Sequence, residues 1–120
     1  MFDVSLPISA MEAYVSEVRA RLASGWKDHD CVVWGHLGDS NLHLWITVQS
    51  MSPEARSQVE RIVYEPLRRV GGSISAEHGI GVEKREHLGI SRTADEIALM
   101  YSLKQAFDPA GLLNPGKVLI

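Results

Sequence analysis

The sequence predicts an α+β domain with a mostly antiparallel sheet and helices on one face. Three observations lead there. Apolar and polar residues alternate in "FDVSLPI". Two runs rich in β-branched and aromatic residues, Cys31 to Leu37 and Leu42 to Val48, lie only a few residues apart. Before and after these two runs, other apolar residues recur at helical spacing. The chain has 120 residues and 45% hydrophobic content, which suits one compact domain spanning the whole sequence.

The elements follow in order. "FDVSLPI" reads as a strand with Val4 and Leu6 on one face and Asp3 and Ser5 on the other. Ser9 and Glu12 have capping-box spacing and open a helix through Met11, Tyr14, Val15, Val18 and Leu22, which stops at Gly25. The two β-rich runs form a hairpin around Gly38-Asp39-Ser40. Ser52 caps a second helix with Pro53 at its first position, and Val59, Ile62, Val63, Leu67 and Val70 form its apolar stripe. Pro66 falls inside that stripe and predicts a kink or a new turn. "SISAEHGIG" reads as a short extended piece entering a glycine-rich loop. Thr93 and Glu96 repeat the capping-box spacing before a last helix that ends at Phe107, ahead of Asp108-Pro109. The tail "GLLNPGKVLI" is turn-rich, then apolar. The first five elements make up most of a split βαβ, or ferredoxin-like, unit.

Composition excludes several function classes. The net charge is -3, from 12 basic and 15 acidic residues, and no basic patch exists, so nucleic acid is not expected as a partner. Cys31 is the one cysteine, so an internal disulfide and a CxxC motif are ruled out, and a reducing, cytoplasmic location fits. The apolar runs fall well short of the roughly 18 residues of a membrane span.

The candidate chemistry lies in two places. A two-residue loop at Asp39-Ser40 pairs Leu37 with Leu42 and His36 with His43 across the hairpin. Opposed side chains share a face, with Cβ atoms roughly 5 Å apart, close enough for two imidazoles to reach one metal ion. Two half-exposed strand histidines are the plainer alternative. In "SISAEHGIGVEKRE", Glu77 and His78 offer a carboxylate and a further imidazole, and Gly79 and Gly81 let the backbone bend there. A carboxylate with two imidazoles is a common divalent-metal set, and a further histidine beside it serves as an acid or base near neutral pH. Local hydrogen bonding by Glu77 and His78 is the alternative. A small metallohydrolase using His36, His43, Glu77 and a bound water is a third reading.

Three motifs taken together resemble a known family. "GHLGDSNLHL", "GGSISAEHGIGVEKREHLG" and "FDPAGLLNPGKVL" are similar, in order and spacing, to the C-terminal region of the FAD-linked oxidases. The nearest in kind are the D-lactate, D-2-hydroxyglutarate and glycolate dehydrogenases or oxidases among the vanillyl-alcohol-oxidase-type flavoproteins. The resemblance implies an FAD-dependent oxidoreductase acting on a 2-hydroxy acid. It implies that His36, His43 and Glu77 bind a divalent metal, often zinc. It implies that His78 meets the substrate and takes its hydroxyl proton, and that Asn114 in "LNPGK" returns close to the flavin. Two positions depart from the pattern. Ser40 stands where the family has Gly, and Trp45 stands where it has an Asn that touches substrate. Trp45 is expected to narrow the substrate pocket or to pack in the core.

The family's N-terminal FAD-binding domain has no counterpart in these residues. The chain is therefore expected to be the cap portion of such an enzyme, inactive alone, or else a stand-alone metal-binding or self-associating module. The family cap is a sheet of two similar halves. A single half leaves an open edge, so a homodimer is expected.

Overall fold

The computed structural model describes residues Met1–Ile120. Strand β1 (Phe2–Ser5) leads through a 3-10 turn at Ile8–Ala10 into helix α1 (Met11–Gly25). Strands β2 (His29–His36) and β3 (Asn41–Val48) form the hairpin. Helix α2 (Pro53–Tyr64) tightens into a 3-10 segment, Glu65–Val70, where Pro66 removes a helical hydrogen bond. A short α3 (Leu88–Ser91) precedes α4 (Ala94–Phe107). The sheet order is β1-β3-β2 and both pairings are antiparallel. β1 and β2 therefore run parallel with β3 between them, and α1 is the crossover of a split βαβ unit.

A ferredoxin-like sheet would carry a fourth strand beside β1. Only one residue pair occupies that place: Ser73 bridges Ser5, with N–H to carbonyl distances of 2.7 and 3.0 Å. The extended piece expected at "SISAEHGIG" is thus reduced to this bridge. Beyond it the chain turns, with Gly79 and Gly81 at φ 77° and 55°.

One sheet face and the helices enclose the core. Val4, Leu42, Leu44 and Ile46 meet Tyr14, Val18 and Leu22 of α1 and Val59 and Val63 of α2. The Tyr14 hydroxyl donates to the Val63 carbonyl at 2.9 Å, which satisfies it in the core and ties α1 to α2. Of the two expected capping boxes, the Thr93–Glu96 box is complete. The one at Ser9 does not form. Ser9 lies inside the 3-10 turn, so Ala10 becomes the N-cap and no side chain caps α1.

Helix α4 contributes no buried residue. Leu99, Leu103 and Phe107, four residues apart, form an exposed row along it. The radius of gyration is 15.7 Å, against roughly 13.5 Å for a compact chain of this length. α4 and the tail project from the core rather than joining it. No helix is long and apolar enough to cross a membrane.

Candidate metal and acid–base site

The site lies on the sheet face opposite the core and is built from the hairpin end outward. The hairpin register differs from the expected one. His36 pairs with Asn41, and His43 pairs with Trp34. The reason is the turn. A two-residue type I′ loop needs positive φ at both positions, which Asp-Ser does not favour. Instead Leu37–Asp39 forms one 3-10 turn, closed by the Ser40 N–H on the Leu37 carbonyl at 3.0 Å, with Ser40 alone at φ 57°. Pairing shifts by two residues, and an even shift leaves each side chain on its face. His36 and His43 become diagonal neighbours, with ring centroids 5.8 Å apart and planes at 85°. Gly35 permits the close strand approach, since a Cβ there would lie 2.2 Å from the Asn41 carbonyl oxygen.

His43 is only 5% exposed and is stacked on Trp34, its cross-strand partner, at 5.5 Å. Its Nε2 lies 3.0 Å from Glu77 Oε1. The donor atoms of His36, His43 and Glu77 all lie within 4.8 Å of one another. Ligands of a tetrahedral zinc ion sit roughly 3.4 Å apart, so a small contraction would make this set a coordination shell. Two imidazoles and a carboxylate suit a divalent ion of intermediate softness. On the same face His43 Nδ1 and Asn41 Oδ1 are buried without a hydrogen-bond partner. Such atoms are rare in folded proteins, and they mark a polar place shaped for more than the apolar sheet around it. The residues present fit a divalent ion.

His78 completes the group. Its ring centroid is 5.5 Å from that of His43, its Nε2 is 3.7 Å from Glu77 Oε1, and its Nδ1 is 3.6 Å from Asp3 Oδ1. The last two distances exceed hydrogen-bond length. The imidazole remains partly open to solvent.

The loop carrying Glu77 and His78 is held by a residue that sequence reasoning missed. Asp3, fully buried in β1, accepts through Oδ2 from the backbone N–H of Ala76, Glu77 and His78 at 3.0, 2.7 and 2.9 Å. Its Oδ1 binds the Lys84 ammonium, and Lys84 also donates to Ser75 Oγ at 3.0 Å. Burial pushes the Asp3 carboxyl up, but the Lys84 ammonium and the Glu77 and His78 amides outweigh it and bring the pKa down to about 2. Alternation placed Asp3 opposite Val4 and Leu6, which reads as solvent-facing. No local signal links it to Lys84, 81 positions away.

Of the other expected site residues, Trp45 shares the face of His43. It stands opposite Val32, and both are half exposed. It is not a core residue. Asn114 sits at φ 48° in the turn-rich tail. It lines a separate groove between α4 and the tail, along with Tyr101, Leu103 and Ile120. The fold does not bring Asn114 into the group at the hairpin.

Residues 1–118 match the family described as FAD linked oxidases, C-terminal domain. The chain is 46% identical over 121 aligned positions to a D-2-hydroxyglutarate dehydrogenase of Xanthomonas citri pv. viticola, covering 97% of this chain and 26% of that protein. It is 42% identical to the mitochondrial D-2-hydroxyglutarate dehydrogenase of Bos taurus and 41% identical to that of Arabidopsis thaliana. In both, the match covers 98% of this chain and 21% of the relative. The chain spans about a quarter of the length of these curated relatives. With nearly every residue inside the match, the chain belongs to the FAD linked oxidases, as their C-terminal domain.

Proposed function

We propose that this chain forms the metal- and substrate-binding part of an FAD-dependent dehydrogenase of 2-hydroxy acids, of the D-2-hydroxyglutarate, D-lactate or glycolate type. One observation carries the reading: His36, His43 and Glu77 converge within 4.8 Å, with His78 next to Glu77. His36, His43 and Glu77 hold the metal, zinc by donor type. The metal, when bound, supplies positive charge beside the substrate oxygen, and FAD, held by another domain, supplies the hydride acceptor. His78 takes the hydroxyl proton, and its partly open imidazole leaves room for substrate. Trp45 forms an apolar wall of the substrate pocket on the same face, and Asn114 lies where the tail meets the flavin-bearing part. The exposed row Leu99, Leu103 and Phe107 is the surface against which that part packs. On this reading the isolated chain is inactive.

The test is metal titration of the purified chain. About one equivalent of zinc should bind, and His43→Ala or Glu77→Ala should lower the affinity at least tenfold. Protein that takes up no divalent metal even after zinc soaking overturns the metal assignment. Oxidation of D-2-hydroxyglutarate, D-lactate and glycolate, assayed with an FAD-binding domain supplied, tests the substrate class.

A second reading, a self-associating module, is favoured by β2. That strand is an edge of the sheet with no neighbouring pair, and Val32 and Trp34 on its outer face are half exposed. A homodimer formed through this edge would be compatible with either reading.

A further inference from the structure

We infer that Asp3 is the positioning residue of the site. Its carboxylate fixes the Glu77–His78 loop against the hairpin, and so sets the distance between Glu77 and the two hairpin imidazoles. The inference rests on the metal reading above for its functional consequence, but its geometry stands on hydrogen bonds alone.

Three consecutive amides, from Ala76, Glu77 and His78, converge on one oxygen. Converging backbone N–H groups form an anion cradle, and here the anion is a side chain from another element. In the sheet Asp3 pairs directly with His43, which in turn pairs with Trp34. Asp3, His43 and Trp34 thus occupy one row across three strands. Any movement of the loop relative to that row changes the 3.0 Å separation of His43 Nε2 and Glu77 Oε1. Lys84, nearly buried, neutralises the carboxylate and donates to Ser75, so it locks both the far side of Asp3 and the start of the loop. Without this clamp the loop's one backbone tie to β1 is the bridge at Ser73, and its glycines ease the backbone rotations that would let it shift.

The experiment uses the full chain and two readouts. Amide exchange at Ala76, Glu77 and His78, followed by NMR without metal, reports the clamp. Zinc affinity, with the cobalt d–d spectrum of the substituted site, reports the ligand geometry. Asp3→Asn should speed exchange at those three amides, lower zinc affinity at least tenfold and alter the cobalt spectrum. If Asp3→Asn does not fold, Asp3→Ala/Lys84→Met, which leaves no unpaired buried charge, should give the same losses. Tyr14→Phe serves as the control. It weakens the core away from the loop, so it should lower the melting temperature and leave exchange, affinity and spectrum unchanged. Wild-type exchange and affinity in the Asp3 variants would overturn the inference, and so would an equal loss of affinity in Tyr14→Phe. Should the wild-type chain bind neither zinc nor cobalt, the metal reading falls, and the amide exchange alone decides the role of Asp3.

Discussion

Ser40 sits in left-handed backbone at φ 57°, a conformation that costs a residue with a Cβ about 1 kcal/mol relative to glycine. Ser40→Gly should therefore raise stability by about 1 kcal/mol, read as a higher melting temperature, with zinc affinity unchanged because the register stays the same. A drop in stability would show that the Ser40 side chain is needed at the turn. Asp3 gives a pH prediction. Its folded pKa, about 2, lies below the unfolded value of roughly 3.9. A depressed carboxylate contributes stability that is complete above the unfolded pKa and is lost as pH falls through the folded one. This group should contribute roughly 2–3 kcal/mol at pH 5, lost progressively as pH falls from about 5 through about 2. Denaturant titrations across that range should show the decline, and Asp3→Ala/Lys84→Met should flatten it. Ser40 was visible as a departure from a pattern, whereas Asp3 was not, because its partners come from Ala76 to Lys84 at the far end of the chain.

At the level of elements, the hairpin and α4 behave differently. Gly35 lies where β2 passes the Asn41 carbonyl, and an added Cβ would meet backbone rather than a yielding side chain. Gly35→Ala should cost roughly 1–3 kcal/mol and weaken metal binding, because it forces apart the strands that present His36 and His43. α4 depends instead on local interactions. Thr93 accepts from the Glu96 N–H, and Glu96 accepts from the Thr93 N–H. Thr93→Ala should cost about 1 kcal/mol. The loss should appear as faster amide exchange in the first turn of α4, with the core nearly unaffected, since no residue of that helix is buried. Element types and most boundaries were legible from periodicity and caps. The hairpin register was not, because a four-residue and a two-residue connection use the same residues. The turn geometry, decided by the side chains at Asp39 and Ser40, selects between them. The fourth strand failed for another reason. "SISAEHGIG" opens as an extended piece, but the amides of Ala76, Glu77 and His78 bind a carboxylate instead of a neighbouring strand.

For the whole molecule, the open β2 edge and the exposed row on α4 are two surfaces that this fold leaves unsatisfied. They belong to different predictions. If β2 mediates self-association, Val32→Lys should shift the chain toward monomer in sedimentation at micromolar concentration, because a charge on an edge strand opposes pairing. A chain that is already monomeric there would dispose of the homodimer. Leu103→Lys or Phe107→Lys should leave that equilibrium alone and should instead weaken association with an FAD-binding domain supplied in trans.

By itself the sequence determined the α+β class, the order of helices and strands and the Thr93 cap, and it marked His36, His43, Glu77 and His78 as candidates. Those features depend on local periodicity, on capping chemistry and on motifs that hold residues at fixed separations. Only the tertiary structure decided that the two hairpin histidines are diagonal rather than opposed, and that Asn114 lies apart from them. It alone showed that a buried aspartate from the first strand holds the loop carrying Glu77. The physical reason is range. Backbone preferences act over a few residues, whereas a buried carboxylate must find its donors wherever the fold delivers them, and here it finds them more than 70 positions along the chain.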